Sequence, residues 1–560
     1  MERPGTSSVN ATVIARKPRG MRGQAMVLFL VLAGILCLGV VLLFDTGQAI
    51  NKKTKLVHTA DAAAYSVAVQ EAKALNFAAY MNRARVANEV AISQMVSMWS
   101  WANMLHTHTA VGYQRFTALA LALTATGVGL VAVPFVEAIA QGYKVAEKAA
   151  ATGRTLLHKG LTLGGVIPGL EGGLIEGLSL LNSGYSAAAG LVVNYVGGVD
   201  GYLVATDVVR KNDLTAKFGV LGKGLLIDQL AHATSHNVPS FQGDPLLNDY
   251  SVKKNGADGM DRFRNVVMAS RDEFSADRGL NIGLSLEGVI GIELGTWGGT
   301  DLVEHDRWAG MDTMSIKIEV PWPLKDIDVP FGWGGAQAVE NKTTLPPFLP
   351  GIQSGENGGE GWYSHEHDGN TTYEPYGGSS GLSADWADKY PSVNAPWLVL
   401  DSNNGLNDKD DAYIGGYRGL QAYQDINDAY ANTPGGDTTN VAESEAAGPL
   451  FTVYIYSDQA DARVSEDTAI GAPDGSSLAL DAETNNNRIT AISTAQTYFN
   501  RPPNYALFQR LVPREWNGDP EVDEDLERGS LFSPYWQARL VKTPARLYAL
   551  AGASELLSVP

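Results

Sequence analysis

The sequence predicts an α+β protein: a single N-terminal transmembrane helix continues into a long helical region, followed by a mostly antiparallel, β-rich C-terminal domain. Three observations predict it. Ala25–Phe44 is a run of twenty residues with no charge and no side-chain amide. From Ile50 to Thr109 the chain is rich in Ala, Gln, Glu, Met and Asn and contains no Pro. Beyond about His236, Trp, Tyr, Pro, Asp and Gly rise, and apolar residues alternate with polar ones. The expected division is a basic cytoplasmic tail at 1–24, a transmembrane helix at 25–44, a helical Ala/Gly-rich region at 45–235 and a soluble α+β domain at 236–560 with long Gly/Asn/Asp-rich loops.

Twenty helical residues rise about 30 Å, the thickness of a bilayer's hydrocarbon core. The apolar core of a secretory signal is shorter and ends at a small-residue cleavage site. Here the nearest small-residue sequence, Gly47-Gln48-Ala49, fits such a site poorly, so the run is read as an uncleaved anchor. Arg16, Lys17, Arg19 and Arg22 precede it, while Lys52, Lys53 and Lys55 follow. The positive-inside rule keeps the tail in the cytoplasm and exports the body. Gly34, Gly39 and Ala33 leave room for close helix–helix approach.

The next segment continues as helix, with a bend expected at Gly47. Phe77, Tyr80, Ala84, Ala87, Ala91, Met95, Met98, Ala102 and Leu105 recur every three or four residues, with Asn76, Asn82, Arg83, Arg85 and Glu89 off that line. This predicts an amphipathic helix packed by its apolar stripe on the protein's own body; the alternative is a stripe that binds a partner. Phe116–Val136 is a second uncharged stretch, weakly apolar and rich in Ala, Thr and Gly. It is read as a helix-packing segment, with a second span as the alternative. Gly142–Gly201 reads as helices broken by glycine. In the C-terminal half, Ser315–Val320, Trp397–Leu400, Leu450–Ser457, Asn487–Thr494 and Trp536–Lys542 read as strands.

Charge narrows the function. The chain carries 42 Lys and Arg against 61 Asp and Glu, a net charge of −19. Without the first 24 residues the body has 37 basic and 60 acidic residues, or −23. Phosphate binding needs clustered Lys and Arg, so nucleic acid is not an expected partner. Cys37 is the one cysteine and lies inside the apolar run, which excludes an intramolecular disulfide and a cysteine-based zinc site.

No motif assigns covalent chemistry, and no cofactor is expected. His232 and His236 stand one helical turn apart, but Ala233 replaces the Glu that a zincin needs. His365 and His367 would share one face of a strand without an assignable third ligand. Asp401, Asn403 and Asp408 lie in an oxygen-rich loop that begins like a calcium site. There Gly405 comes one place early and no Glu closes the loop, so a polar turn is expected, with calcium as the alternative. "GLSLEG" (Gly283–Gly288) has Glu287 where a nucleophile elbow needs Gly, and no phosphate-binding loop occurs. The Trp-rich stretches Thr296–Trp308 and Val320–Gly335 are read as sheet core, with a glycan or peptide groove as the alternative.

Arg22-Gly23-Gln24 before the apolar run, Asp45 and Gly47 just after it, and the Ala60–Ala63 stretch "ADAA" resemble the N-terminal region of Tad-type, TadE/TadG-like proteins of Flp pilus assembly. "LNFAAYMNRARVANEVAISQMVS", "AQTYFNRPP" and "LFSPYWQARLV" are similar to a large branch of Tad-domain proteins. The resemblance implies a bacterial inner-membrane protein with a periplasmic or surface body, linked to pilus biogenesis. Two family features are missing. Prepilins place Glu five residues after the processing-site Gly, and here Leu28 follows Gly23 and Ala25 follows Gly20 at that distance. A von Willebrand A metal motif, D-x-S-x-S, does not occur. The expectation is therefore a non-enzymatic assembly component that contacts inner-membrane lipid and pilus or secretion proteins. An exported adhesin or tip module and a membrane-tethered periplasmic hydrolase are the alternatives.

Overall fold

The computed structural model describes residues 22–126, 133–163, 173–234, 245–251, 260–276, 278, 280–286, 290–303, 305–319, 327–339, 413–427, 446–458, 461, 488–500 and 529–550. Its fold is α+β, organised on one helix. Helix α1 (Arg22–Thr126) has 105 residues and passes through Gly47 without interruption. At 1.5 Å per residue it is about 160 Å long. Helix α2 (Val133–Leu161) packs back on its far end. Tyr143 stacks on Phe116, and Arg154 Nε donates to Asn103 Oδ1 at 2.7 Å. The described parts of the uncharged stretch, Phe116–Thr126 and Val133–Val136, thus belong to two packed helices.

Helix α3 (Gly173–Val192), a π-helical segment (Val193–Asp200) and helix α4 (Gly201–Asn212) then run back down α1. Three bonds give the direction. Asn88 Nδ2 donates to Asn182 Oδ1 at 2.8 Å, Gln70 Nε2 to Asp200 Oδ2 at 2.9 Å, and Lys52 Nζ to Asp213 Oδ2 at 3.0 Å. Strand β1 (Lys217–Phe218) and helix α5 (Val220–Ala233) follow. Strand β2 (Leu247–Tyr250), helix α6 (Asp261–Ala269) and the short α7 (Glu273–Ala276) come next.

The remaining strands are β3 (Leu280–Leu286), β4 (Ile290–Val303), β5 (Arg307–Glu319), β6 (Ile327–Val339), β7 (Tyr413–Gly416), β8 (Tyr423–Ile426), β9 (Ala446–Asp458), β10 (Arg488–Phe499) and β11 (Trp536–Val541). They form sheets ordered β1-β9-β10-β11, β2-β8 and β3-β4-β5-β6-β7. Every described pairing is antiparallel except β6 with β7. The strands expected around 315–320, 450–457, 487–494 and 536–542 fall in β5, β9, β10 and β11, whereas Trp397–Leu400 lies outside the described residues. Strand β6 carries Pro330 at its register shift against β5, where a residue without an N–H is tolerated.

Three apolar cores follow one another along α1. The first joins Leu56, Ala60 and Val67 to Leu226, Leu230, Phe451 and Ile455. The second joins Leu75 and Ala78 to Val193, Phe499 and Trp536. The third joins Val86, Ile92, Val96 and Trp99 to Phe263, Trp308, Tyr417 and Phe532. Each draws on residues from both halves of the chain.

The face that α1 turns to these cores is not the apolar stripe. Phe77, Tyr80 and Met98 are exposed at 36%, 57% and 39%, whereas Asn82, Arg85 and Glu89 are each 1% exposed. Ser93, Ser97, Ser100, Asn103 and Thr107 continue the buried line. Sterics and hydrogen bonding explain the inversion. From Val96 to His108 the sheet facing α1 presents Gly310, Gly332 and Gly334, so helix and strand backbones approach closely there and favour small side chains at Ser97, Ser100 and Asn103. The small polar groups there find partners: Ser97 Oγ and Thr300 Oγ1 lie 2.7 Å apart, and Asn103 Nδ2 donates to the Gly335 carbonyl at 2.8 Å.

A Cβ placed at Gly334 falls on the backbone of Ser100 and Met104, which cannot swing aside. Gly334→Val is expected to destabilise the body by about 1–3 kcal/mol or more through overpacking. Gly224, in α5, meets nothing within 4 Å, so Gly224→Ala is expected to be neutral or stabilising by up to about 1 kcal/mol. Thermal unfolding of the two variants in detergent checks both.

Candidate functional site

Two features of α1 set it apart: a bare apolar end and a buried polar strut. The end is Ala25–Phe44. Its most apolar eighteen-residue window has no residue buried by the rest of the chain. Leu28, Leu36 and Leu43 are 72%, 63% and 74% exposed. A side chain at Gly34 or Gly39 would meet nothing within 4 Å. Just past the run Asp45 is 6% exposed, Lys52 pairs with Asp213, and Leu56 is fully buried. Gly173–Asn212 is also long and apolar enough to cross a bilayer by length and composition. That segment, however, is hydrogen-bonded along α1 through Asn182 and Asp200, and Asp213 just after it pairs with Lys52.

The strut is centred on Glu89. Its Oε2 accepts from Trp308 Nε1 at 3.0 Å and from the Tyr417 hydroxyl at 2.8 Å, and its Oε1 accepts from Asn182 Nδ2 at 2.8 Å. One turn earlier, Arg85 donates to the Gln421 carbonyl and to Asn82 Oδ1, and lies 4.7 Å over the Phe263 ring. Asn82 Nδ2 in turn donates to the carbonyls of Gln424 and Leu531, at 3.0 and 2.8 Å. Spacings of three and four residues put these side chains on one face. Burial pushes the Glu89 carboxyl up to about 7 against its three donors and the positive Arg85. Burial also lowers Arg85 to about 10 and, with the neighbouring carboxylate, raises Tyr417 well above an ordinary phenol.

Glu71 lies on the same helix and differs. It is 1% exposed, and neither carboxyl oxygen has a hydrogen-bond partner among the described residues. Burial pushes it up to about 8. At neutral pH it is a protonated acid in the core.

Of the residues singled out in the sequence for their chemistry, Trp308 is drawn into this strut. His232 is buried in the last turn of α5, and its carbonyl accepts from the Leu246 amide at 2.8 Å. His236, His365, His367, Asp401, Asn403 and Asp408 lie outside the described residues. Ser285 belongs to β3, and Glu287 lies outside the described residues. Trp308, from the aromatic-rich stretch, is core and donates to Glu89. Among the described residues no group of three or more His, Cys, Asp and Glu is placed to hold a metal ion. Sequence reasoning missed the strut because its members are polar and their partners lie up to 449 positions away.

Residues 23–70 match the family model described as "Putative Flp pilus-assembly TadE/G-like". No curated protein and no solved structure matches the chain. The matched segment begins just before the apolar run, contains all of it, and ends at Gln70, the residue that bonds Asp200. It supports a part in Flp pilus assembly.

Between pH 5 and 8 the unfolded chain ionises Glu71 while the folded chain keeps it protonated. Stability is full below the unfolded pKa and falls, by a few kcal/mol, as pH rises toward 8. Glu71→Gln is expected to raise the melting temperature at pH 8 and to leave it nearly unchanged at pH 4.5. Glu89→Ala leaves Trp308, Tyr417 and Asn182 without their acceptor and is expected to cost about 3–5 kcal/mol. Melting curves of both variants across pH 4.5–8.5 measure these effects.

Proposed function

We propose that the chain is a non-enzymatic, membrane-anchored assembly or accessory component of a Tad/Flp-type pilus or related secretion system. Ala25–Phe44 crosses the bacterial inner membrane once, with the basic tail in the cytoplasm and the body on the periplasmic or outer side. The observation that carries this reading is the continuity of α1. One helix is bare where it is most apolar and becomes the scaffold of three cores a few residues later. Whatever displaces the anchor displaces the body, because no described break separates them.

The role is mechanical. The outward stripe of α1, with Phe77, Tyr80, Met98 and Trp101 exposed, gives assembly proteins an apolar surface above the membrane. The matched family segment and the absence of a catalytic motif support a scaffold rather than an enzyme.

A charged residue at the centre of a spanning helix costs about 2.5–3.5 kcal/mol. Leu32→Lys combined with Leu36→Lys is therefore expected to move the protein from the carbonate-washed membrane pellet to the soluble fraction. In the unmutated chain, a reporter fused after Pro560 is expected to be active only outside the cytoplasm. Activity only inside the cytoplasm overturns the single-span reading.

A further inference from the structure

The end of the body nearest the apolar run carries exposed apolar side chains that the fold does not use. Leu214 and Val220 are 84% and 88% exposed, the highest values among the large apolar residues of the described chain. Leu221 beside them is 46% exposed. Leu214 lies in the turn after α4, which descends along α1, and Val220 and Leu221 open α5, where the chain reverses beyond β1.

The height of this turn is set by its bonds. Asp213, next to Leu214, accepts from Lys52 Nζ at 3.0 Å and makes an ion pair with Lys55 at 3.8 Å. Lys53 donates to the Thr490 carbonyl, and Thr490 pairs with Tyr456, the register partner of Lys217. The turn and the adjoining strand ends therefore stand level with residues 52–55 of α1. Lys52 lies eight positions beyond Phe44, about 12 Å along the helix, and its side chain leans toward the helix N-terminus. The headgroup layer of a bilayer extends about 5–8 Å beyond the hydrocarbon on each side, and spanning helices tilt by about 20° on average. The axial height of Lys52 exceeds that layer by about 4–7 Å, and the lean of its side chain toward the helix N-terminus together with a tilt of α1 toward this side brings the turn down to it.

The polar surroundings fit the same partner. Lys55, Arg210 and Lys223 are exposed here, in a chain of net charge −19. Lys211 and Lys217 are exposed too, paired with Asp207 at 2.7 Å and Asp458 at 2.8 Å. Lysines and arginines around a few protruding apolar residues suit an interface with anionic lipid.

We infer that the α4–α5 turn is a membrane seat: Leu214 and Val220 insert into the lipid interface beside the anchor. Seated at two points, on the anchor and on the turn, the body has a fixed tilt and rotation relative to the bilayer, which a single helix does not provide. The inference rests on the reading of Ala25–Phe44 as the anchor, and the test separates the two.

The experiment uses the full chain with Cys37→Ser, reconstituted in phosphatidylethanolamine/phosphatidylglycerol vesicles. A nitroxide is attached through Leu32→Cys, Leu214→Cys or Leu156→Cys; Leu156 is 65% exposed on α2, far from the anchor. Relaxation by oxygen, which concentrates in lipid, is compared with relaxation by an aqueous nickel chelate. The expected result is an oxygen-to-nickel ratio several-fold higher at 214 than at 156, approaching that at 32. A ratio at 214 equal to that at 156, with 32 in lipid, overturns the seat and leaves the anchor standing. An aqueous signal at 32 overturns the anchor and the seat with it.

Discussion

The carboxylate of Glu89 ties together four parts of the chain that are remote in sequence: α1, α3, β5 and the segment after β7. A buried charge is costly unless hydrogen bonds surround it, and here an indole, a phenol and an amide each supply one. The net stabilisation of such a site is small, but its geometry is demanding. Only one rotation and one height of α1 bring Glu89 to Trp308, Tyr417 and Asn182 together. Arg85 and Asn82 repeat the device one and two turns earlier, using carbonyls of residues 421, 424 and 531 as acceptors. An apolar core of similar area would tolerate a slip along the helix; a ladder of polar pairs does not.

The glycines of the facing sheet complete this register. Gly310, Gly332 and Gly334 let the strands lie against the helix backbone near Val96, Ser100, Met104 and His108. Close approach there suits the small polar residues Ser97, Ser100, Asn103 and Thr107, which share the inward face of α1 with the buried apolar Ile92, Val96 and Trp99. Burial of Glu71 without a partner among the described residues sets a limit on this economy, since it makes the second core more stable in acid than in base.

Continuity gives the arrangement its mechanical meaning. An α-helix transmits rotation and translation along its axis as long as its hydrogen-bond ladder is unbroken, and α1 is unbroken through Gly47. The apolar end and the three cores thus move as parts of one rod. Helices α3 and α4, hydrogen-bonded along it from Glu89 down to Lys52, stiffen its lower half. The family match at residues 23–70 covers the bare end and the first part of the clad portion.

The sequence by itself determined the elements whose signals are local. Twenty apolar residues in a row, a Pro-free helical stretch and alternating strands needed no partner to be recognised, and α1, β5, β9, β10 and β11 stand where those signals lie. So did the Tad-like segment, whose residues are contiguous. Tertiary structure alone decided which way α1 faces. Periodicity points an apolar stripe inward on the assumption that the partner surface is apolar and roomy. Here that surface is glycine-lined over Val96–His108 and offers backbone carbonyls to Asn82, Arg85 and Asn103, and those groups come from residues hundreds of positions away. The Trp-rich stretches read as sheet core fall in part in β4, β5 and β6, and the structure adds that α1 lies against those strands. The strut formed by Asn82, Arg85 and Glu89 was invisible because a polar residue on a helix declares its burial only when its hydrogen-bond partners are known.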